Sequence, residues 1–261
     1  MLGVRRTSHD RLWYGGAVAA LVVSAWGILG VWGVSPHAAW LGHGGAGDAS
    51  LQLWVHLAVF VAAWTLMTVA MMLPGSLPLV RLFGAVTRER AGHGRLVASL
   101  IGGYLLAWAG FGVAAFVGDL LVHALVERVA GMRGFVYPAV LLAAGVYQCT
   151  SLKERCLAEC RSPYAQIARH WRGLRPIREA LGLGFHHGQW CVGCCWALML
   201  LMFAAGVAHL GWMLALGAVM AAERTASWGR RVSKPVGLVL MAWAGLLASA
   251  PSMRLLEGWV R

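Results

Sequence analysis

Acidic residues are scarce in this chain, 10 Asp and Glu against 22 Lys and Arg in 261 residues, and charged residues of both signs make up only 12%. With 59% hydrophobic residues, several apolar runs approach or exceed the roughly 20 residues that a helix needs to cross a bilayer core. The composition therefore reads as a polytopic membrane protein. The basic excess does not point to nucleic acid, because the Lys and Arg residues fall in short segments between apolar runs. No G-x-x-x-x-G-K-[ST] string occurs, which excludes a P-loop ATPase as the source of driving force. No hydrolase motif is seen either, so the chain reads as a protein without enzyme activity. No Pro-rich linker, low-complexity tract or repeat divides it, and residues 1–261 read as one integral-membrane helical domain.

The expected fold class is all-α, a transmembrane bundle of about seven spans near residues 14–34, 54–73, 96–118, 135–149, 180–201, 210–222 and 236–250. The first run follows Arg5, Arg6 and Arg11 as a signal peptide would. Its length, Leu12 to Val34, exceeds an apolar signal core and marks a retained anchor. The segment Ser35 to Leu53 lacks Lys and Arg altogether, whereas Arg81–Arg95, Lys153–Arg178 and Arg224–Lys234 hold four, seven and four. With the three N-terminal arginines this puts 18 basic residues on one side and four on the other. The positive-inside bias then predicts a multi-pass protein with its N-terminus cytoplasmic and its C-terminus extracytoplasmic. The bilayer is its first partner, and Lys153–Arg178 is expected to be a cytoplasmic loop in contact with anionic lipid. Gly184 and Gly188, or Gly102 and Gly103, are expected at close helix contacts.

Six cysteines form two groups, Cys149, Cys156 and Cys160, then Cys191, Cys194 and Cys195. Thiolates are soft ligands, so clustered cysteines point to a thiophilic metal. If the fourth span continues as one helix to Pro163, Cys149, Cys156 and Cys160 share an arc of about 40°. Cys156 and Cys160, one turn apart, then form the ligand pair, with Cys149 about 10 Å away along the axis. Cys191, Cys194 and Cys195 stand at i, i+3 and i+4, a spacing that offers two or three sulfurs to one ion. Antiparallel fourth and fifth spans would bring both groups to the cytoplasmic side of one hairpin, where thiols stay reduced.

Softer support comes from the thioethers of Met67, Met71, Met72, Met199 and Met202, and from His186 and His187 just before Cys191. Thioether with thiolate suits Cu(I), with zinc as the alternative metal. Each of these residues also has an ordinary reading. A buried cysteine is a small hydrophobe, methionine is common core filler, and histidine anchors at a membrane interface. The histidines on the expected outer side, His37, His43, His56, His123 and His209, read as solvated or interfacial residues. Asp119 and Glu223 read as boundary charges at span ends.

Several strings carry a resemblance. They are Met71-Met72-Leu73-Pro74, Tyr147-Gln148, Lys153 with Cys156-Leu157, Cys160-Arg161-Ser162-Pro163, Gly188, Cys191-Val-Gly-Cys194-Cys195-Trp196, Leu198-Met199, Trp212-Met213 and Glu223-Arg224. Together they resemble a bacterial family of predicted metal-binding integral membrane proteins, a domain of unknown function with some members linked to copper supply for tyrosinase-type oxidases. The resemblance implies a multi-span inner-membrane protein that handles copper on Cys156, Cys160, Cys191, Cys194 and Cys195, with a copper-accepting oxidase as partner. Arg224 stands where the resemblance leads one to expect lysine. From the residues and the resemblance together, the leading reading is a chaperone or transporter that holds Cu(I) and releases it by ligand exchange. The rivals are a structural zinc cluster and a thiol or iron–sulfur redox protein.

Overall fold

The computed structural model describes residues 2–33, 51–128, 133–204 and 210–249. Among these the chain is all α, with ten helices and no strand. The helices are α1 (Leu2–Gly33), α2 (Leu51–Met71), α3 (Leu77–Thr87), α4 (His93–Arg128), α5 (Arg133–Gln148), α6 (Ser151–Cys160), α7 (Pro163–His170), α8 (Pro176–Ala204), α9 (Leu210–Thr225) and α10 (Ser233–Ala248). Short 3-10 turns at Pro74–Ser76 and Gly229–Arg231 lead into α3 and α10. Each of the seven apolar runs is helical within these limits. Among the described residues, three segments, Leu53–Met71, His93–Val126 and Gly229–Ala248, are long and apolar enough to cross a membrane, or four if the bent pair α5 and α6 counts as one. The expected outer loop at residues 35–50, His37, His43, His209 and the C-terminal end lie outside the described residues.

Helices α4 and α8 form the closest pair. A Cβ at Gly103 would fall on the carbonyl of Leu181, and one at Gly184 on that of Leu100. Small residues thus let the two backbones meet. Gly188 lies against Tyr104 and Ala107, so α8 advances alongside α4 in the same direction. Gly102, by contrast, faces open space and takes no part. Helix α5 packs on α10, where Gly145 meets Gly237 and Met241.

The basic segments are not loops. Residues 77–87 form α3, which buries Leu79, Val80 and Phe83, and residues 163–170 form α7, which buries Gln166 and Ile167. Their prolines sit in the first turn, where a missing N–H costs nothing. Leu79, Val80, Phe83 and Ile167 join Leu96, Val97 and Leu100 of α4 with Ala180 and Leu183 of α8 in a second, smaller apolar cluster. Trp171 stacks edge-on against Phe83, 4.8 Å between centroids, and Arg90 lies over its ring. A positive-inside count sees only the charges. The apolar face that folds these segments has too few residues to register as a span.

The fourth span also departs from expectation. Helix α5 stops at Gln148, and α6 leaves it at 66°. Thr150 is extended (φ −79°, ψ 149°) and its hydroxyl accepts the N–H of Lys153, capping a new helix. Cys149 therefore does not share a helix face with Cys156 and Cys160. It is exposed, its sulfur against Gly237 of α10.

Candidate metal centre

Helix α6 lies against α8, and this contact brings the two cysteine groups together. The sulfurs of Cys160, Cys191 and Cys194 all lie within 4.8 Å of one another, and all three residues are buried. The two groups thus converge through Cys160 rather than through a Cys156–Cys160 pair. Cys156 is buried beside them, its sulfur packed over Gly193, where any side chain would collide with it. Cys195 stands at the edge of the triad, 3.3 Å from the sulfur of Cys194. The Cys194 thiol also donates to the Cys191 carbonyl at 3.2 Å. All six cysteines are free.

The centre is deep in the protein. Cys191 lies fifteen residues into α8, about 22 Å from its start at 1.5 Å per residue. Met67, Met71, Met72, Met199 and Met202 are all at most 5% exposed and belong to the same large core cluster as the cysteines. Tyr104 of α4 is hydrogen-bonded to the Cys191 sulfur at 3.2 Å. Tyr147 donates to the Gly193 carbonyl and holds the backbone between the cysteines of α8.

Neither histidine joins the triad. Both ring nitrogens of His187 are engaged, Nδ1 with Gln166 Oε1 at 2.9 Å and Nε2 with Ser76 Oγ at 3.2 Å. Because an amide oxygen only accepts, Nδ1 carries the proton and Nε2 accepts from the serine. His186 is half-buried, stacks on His170 at 4.2 Å and accepts the indole N–H of Trp190 at 2.9 Å.

Sequence reasoning missed the charged groups that surround the centre. Lys153 and Glu223, each 1% exposed, form an ion pair at 2.7 Å, and the Gln148 side-chain N–H donates to the same carboxylate at 3.2 Å. Lys153 also donates to the side-chain oxygen, Oε1, of Gln148. Arg161 donates to the carbonyls of Glu223 and Ala226 at 2.6 and 2.8 Å. This network clamps α6, and with it Cys160, to the end of α9. Arg224 is buried next to Glu223 but turns the other way, donating to the Met72 carbonyl at 2.8 Å and to Ser76 Oγ at 2.9 Å. Gln148, Lys153, Arg161, Glu223 and Arg224 all stand in the strings that carry the family resemblance, but no local pattern assigned them a role. The partners that join these helices lie 62 to 152 residues apart in sequence, which no local pattern reveals.

Outside the spans, Glu179 at the start of α8 accepts the backbone N–H groups of Arg172, Gly173, Leu174 and Arg175 at 2.6–3.0 Å. These bonds, that from Arg175 first, pull its carboxyl pKa down to about 2.

Three buried thiols this close together could hold one metal ion, and sulfur ligands favour a soft one. Comparison with known families agrees. Residues 61–247 match the model of the PpoB2 family, described as copper chaperones, and the chain belongs to that family. No curated protein matches the chain. No solved structure matches it either.

Proposed function

We propose that the chain is a membrane-embedded copper chaperone that holds Cu(I) on Cys160, Cys191 and Cys194 and passes it on by ligand exchange. The observation that carries this reading is the convergence of these three sulfurs from two helices in a chain of the copper-chaperone family. Cu(I) is content with two or three thiolates, so an incoming ligand can add before an old one leaves. A structural zinc site closes with four ligands, whereas three sulfurs are mutually close here. Cys195 and Cys156, the nearest remaining thiols, are the first stations for a departing ion. Met67, Met71, Met72 and Met199 supply softer ligands further along. Cys149, set apart on the α10 side, contributes little to occupancy.

Membrane embedding is supported by the three long apolar segments and by large apolar side chains that face outward. Val23, Val31, Leu121, Leu125, Leu238 and Val239 are each more than half exposed, which suits lipid and not water. On the positive-inside bias, this reading puts the N-terminus and the basic helices α3 and α7 on the cytoplasmic side of a bacterial inner membrane. The copper acceptor is a copper oxidase of the tyrosinase type. The family points to a role without catalysis of its own.

Cu(I) titration of the purified protein against a chromophoric competitor tests the reading. One equivalent should bind, and Cys160→Ser, Cys191→Ser and Cys194→Ser should each abolish most of it. The losses should not add, because the three act as one unit. Full retention of copper by Cys160→Ser would remove α6 from the site and with it the two-helix model.

A further inference from the structure

Arg224 has no role in the account so far, yet its position is unusual. It is 6% exposed and no ion pair links it to a carboxylate among the described residues, since Glu223 is taken by Lys153. A guanidinium cannot shed its proton in a protein, so a buried one needs an anion. Its two terminal nitrogens reach only neutral oxygens, those of Met72 and Ser76, with the Met72 sulfur 3.8 Å from Nη1. Its Nε has no hydrogen-bond partner. Ser76, which Arg224 reaches at 2.9 Å, also meets His187 at 3.2 Å, one turn before Cys191 on α8, and the Cys191 sulfur is itself hydrogen-bonded to Tyr104 at 3.2 Å. Gly75 makes the position available, because a Cβ there would lie 2.7 Å from the guanidinium carbon.

Building on the copper reading above, we propose that Arg224 is the fixed counter-charge of the thiol centre, balancing the one negative charge that Cu(I) acquires when two thiolates bind it. The charges close when two of the three cysteines bind as thiolates and the third as a neutral thiol: one monovalent ion and two thiolates sum to minus one, and the guanidinium brings the total to zero. In a low-dielectric interior a complex with net charge is costly, so the cation favours the loaded state over the empty one. Arg224 touches no metal ligand by hydrogen bond, which makes it a positioning residue for charge. The hydroxyl of Ser76 accepts from Arg224 and donates to His187, so the guanidinium is aimed by the same chain of contacts that locks the histidine.

The test uses the full-length protein in detergent and reads Cu(I) affinity together with the rise in melting temperature that copper produces. Arg224→Gln, which removes the charge, should lower affinity about 100-fold, the scale of truncating one member of a buried charge pair, and should erase most of the copper-induced rise. Arg224→Lys keeps the charge and should stay within about tenfold of the parent. Gly75→Ala leaves the arginine in the sequence but displaces its head, and should weaken copper about tenfold. It also decides the matter if Arg224→Gln does not fold. If folded Arg224→Gln melts lower than the parent yet keeps the parent's affinity and copper-induced rise, Arg224 is only a structural tie and the proposal is overturned. Unchanged affinity in Gly75→Ala overturns it equally. If the unmodified protein binds no Cu(I), the copper reading itself falls, and the counter-charge with it. Loss of copper in Cys191→Ser with no effect at Arg224 separates the two.

Discussion

Replacing Lys153 by methionine leaves the carboxylate of Glu223 buried with only the Gln148 amide to meet it. Both side chains are 1% exposed, so no solvent softens the change. Removing one partner of a buried ion pair costs about 3–5 kcal/mol. At about 2–4 °C per kcal/mol for a chain of this size, the melting temperature should fall by about 10 °C. The cost is desolvation, not loss of an attraction, so Lys153→Met/Glu223→Leu, which removes both charges, should recover most of the loss. Thermal unfolding of the four proteins of this double-mutant cycle in one detergent measures the coupling. Because the network clamps α6 to α9, Lys153→Met should also loosen Cys160 and reduce copper retention. A single variant that melts within about 2 °C of the parent, or a double variant as unstable as the sum of the singles, would refute the reasoning.

Three further expectations concern other parts of the molecule. Gly184→Val drives a side chain into the Leu100 carbonyl and should separate α4 from α8, with a loss of at least about 1–3 kcal/mol seen as a lower melting temperature; a parent-like melting curve would contradict the close approach. The Glu179 carboxyl is depressed to about 2, so its support of the turn at residues 172–175 is complete above the ordinary carboxylate range and disappears as the pH falls through about 2. Amide exchange at Arg172–Arg175 should accelerate over that window, and Glu179→Gln should remove the pH dependence. Alkaline phosphatase fused within residues 35–53 should be active and within 161–178 inactive; the reverse pattern would invert the proposed orientation.

What the sequence revealed and what it hid follow from the range of the interactions. Apolar runs mark α2, α4, α8 and α10 because a helix buried or lipid-facing on all sides is apolar throughout. The spacing of Cys191, Cys194 and Cys195 placed their sulfurs on neighbouring turns without reference to any other element. Cys160 could not be preferred to Cys156 in this way, since the choice depends on a 66° turn between α5 and α6. A local cue for that turn did exist: Cys149-Thr150-Ser151 offers a hydroxyl cap where an uninterrupted helix was expected. The pairing of Lys153 with Glu223 and the burial of Arg224 had no such cue. In sequence these residues stand among loop and boundary charges, and the meeting of α6 with α9, and of α9 with the turn at Pro74–Ser76, takes them out of water.

Copper K-edge X-ray absorption of the protein loaded with one equivalent of Cu(I) tests the central claim most directly. The account predicts a monovalent edge and a shell of about two to three sulfurs with no nitrogen or oxygen, collapsing in Cys160→Ser and in Cys191→Ser but unchanged in His187→Ala. A shell containing nitrogen, or one that survives both serine substitutions, would contradict a thiolate centre shared between α6 and α8.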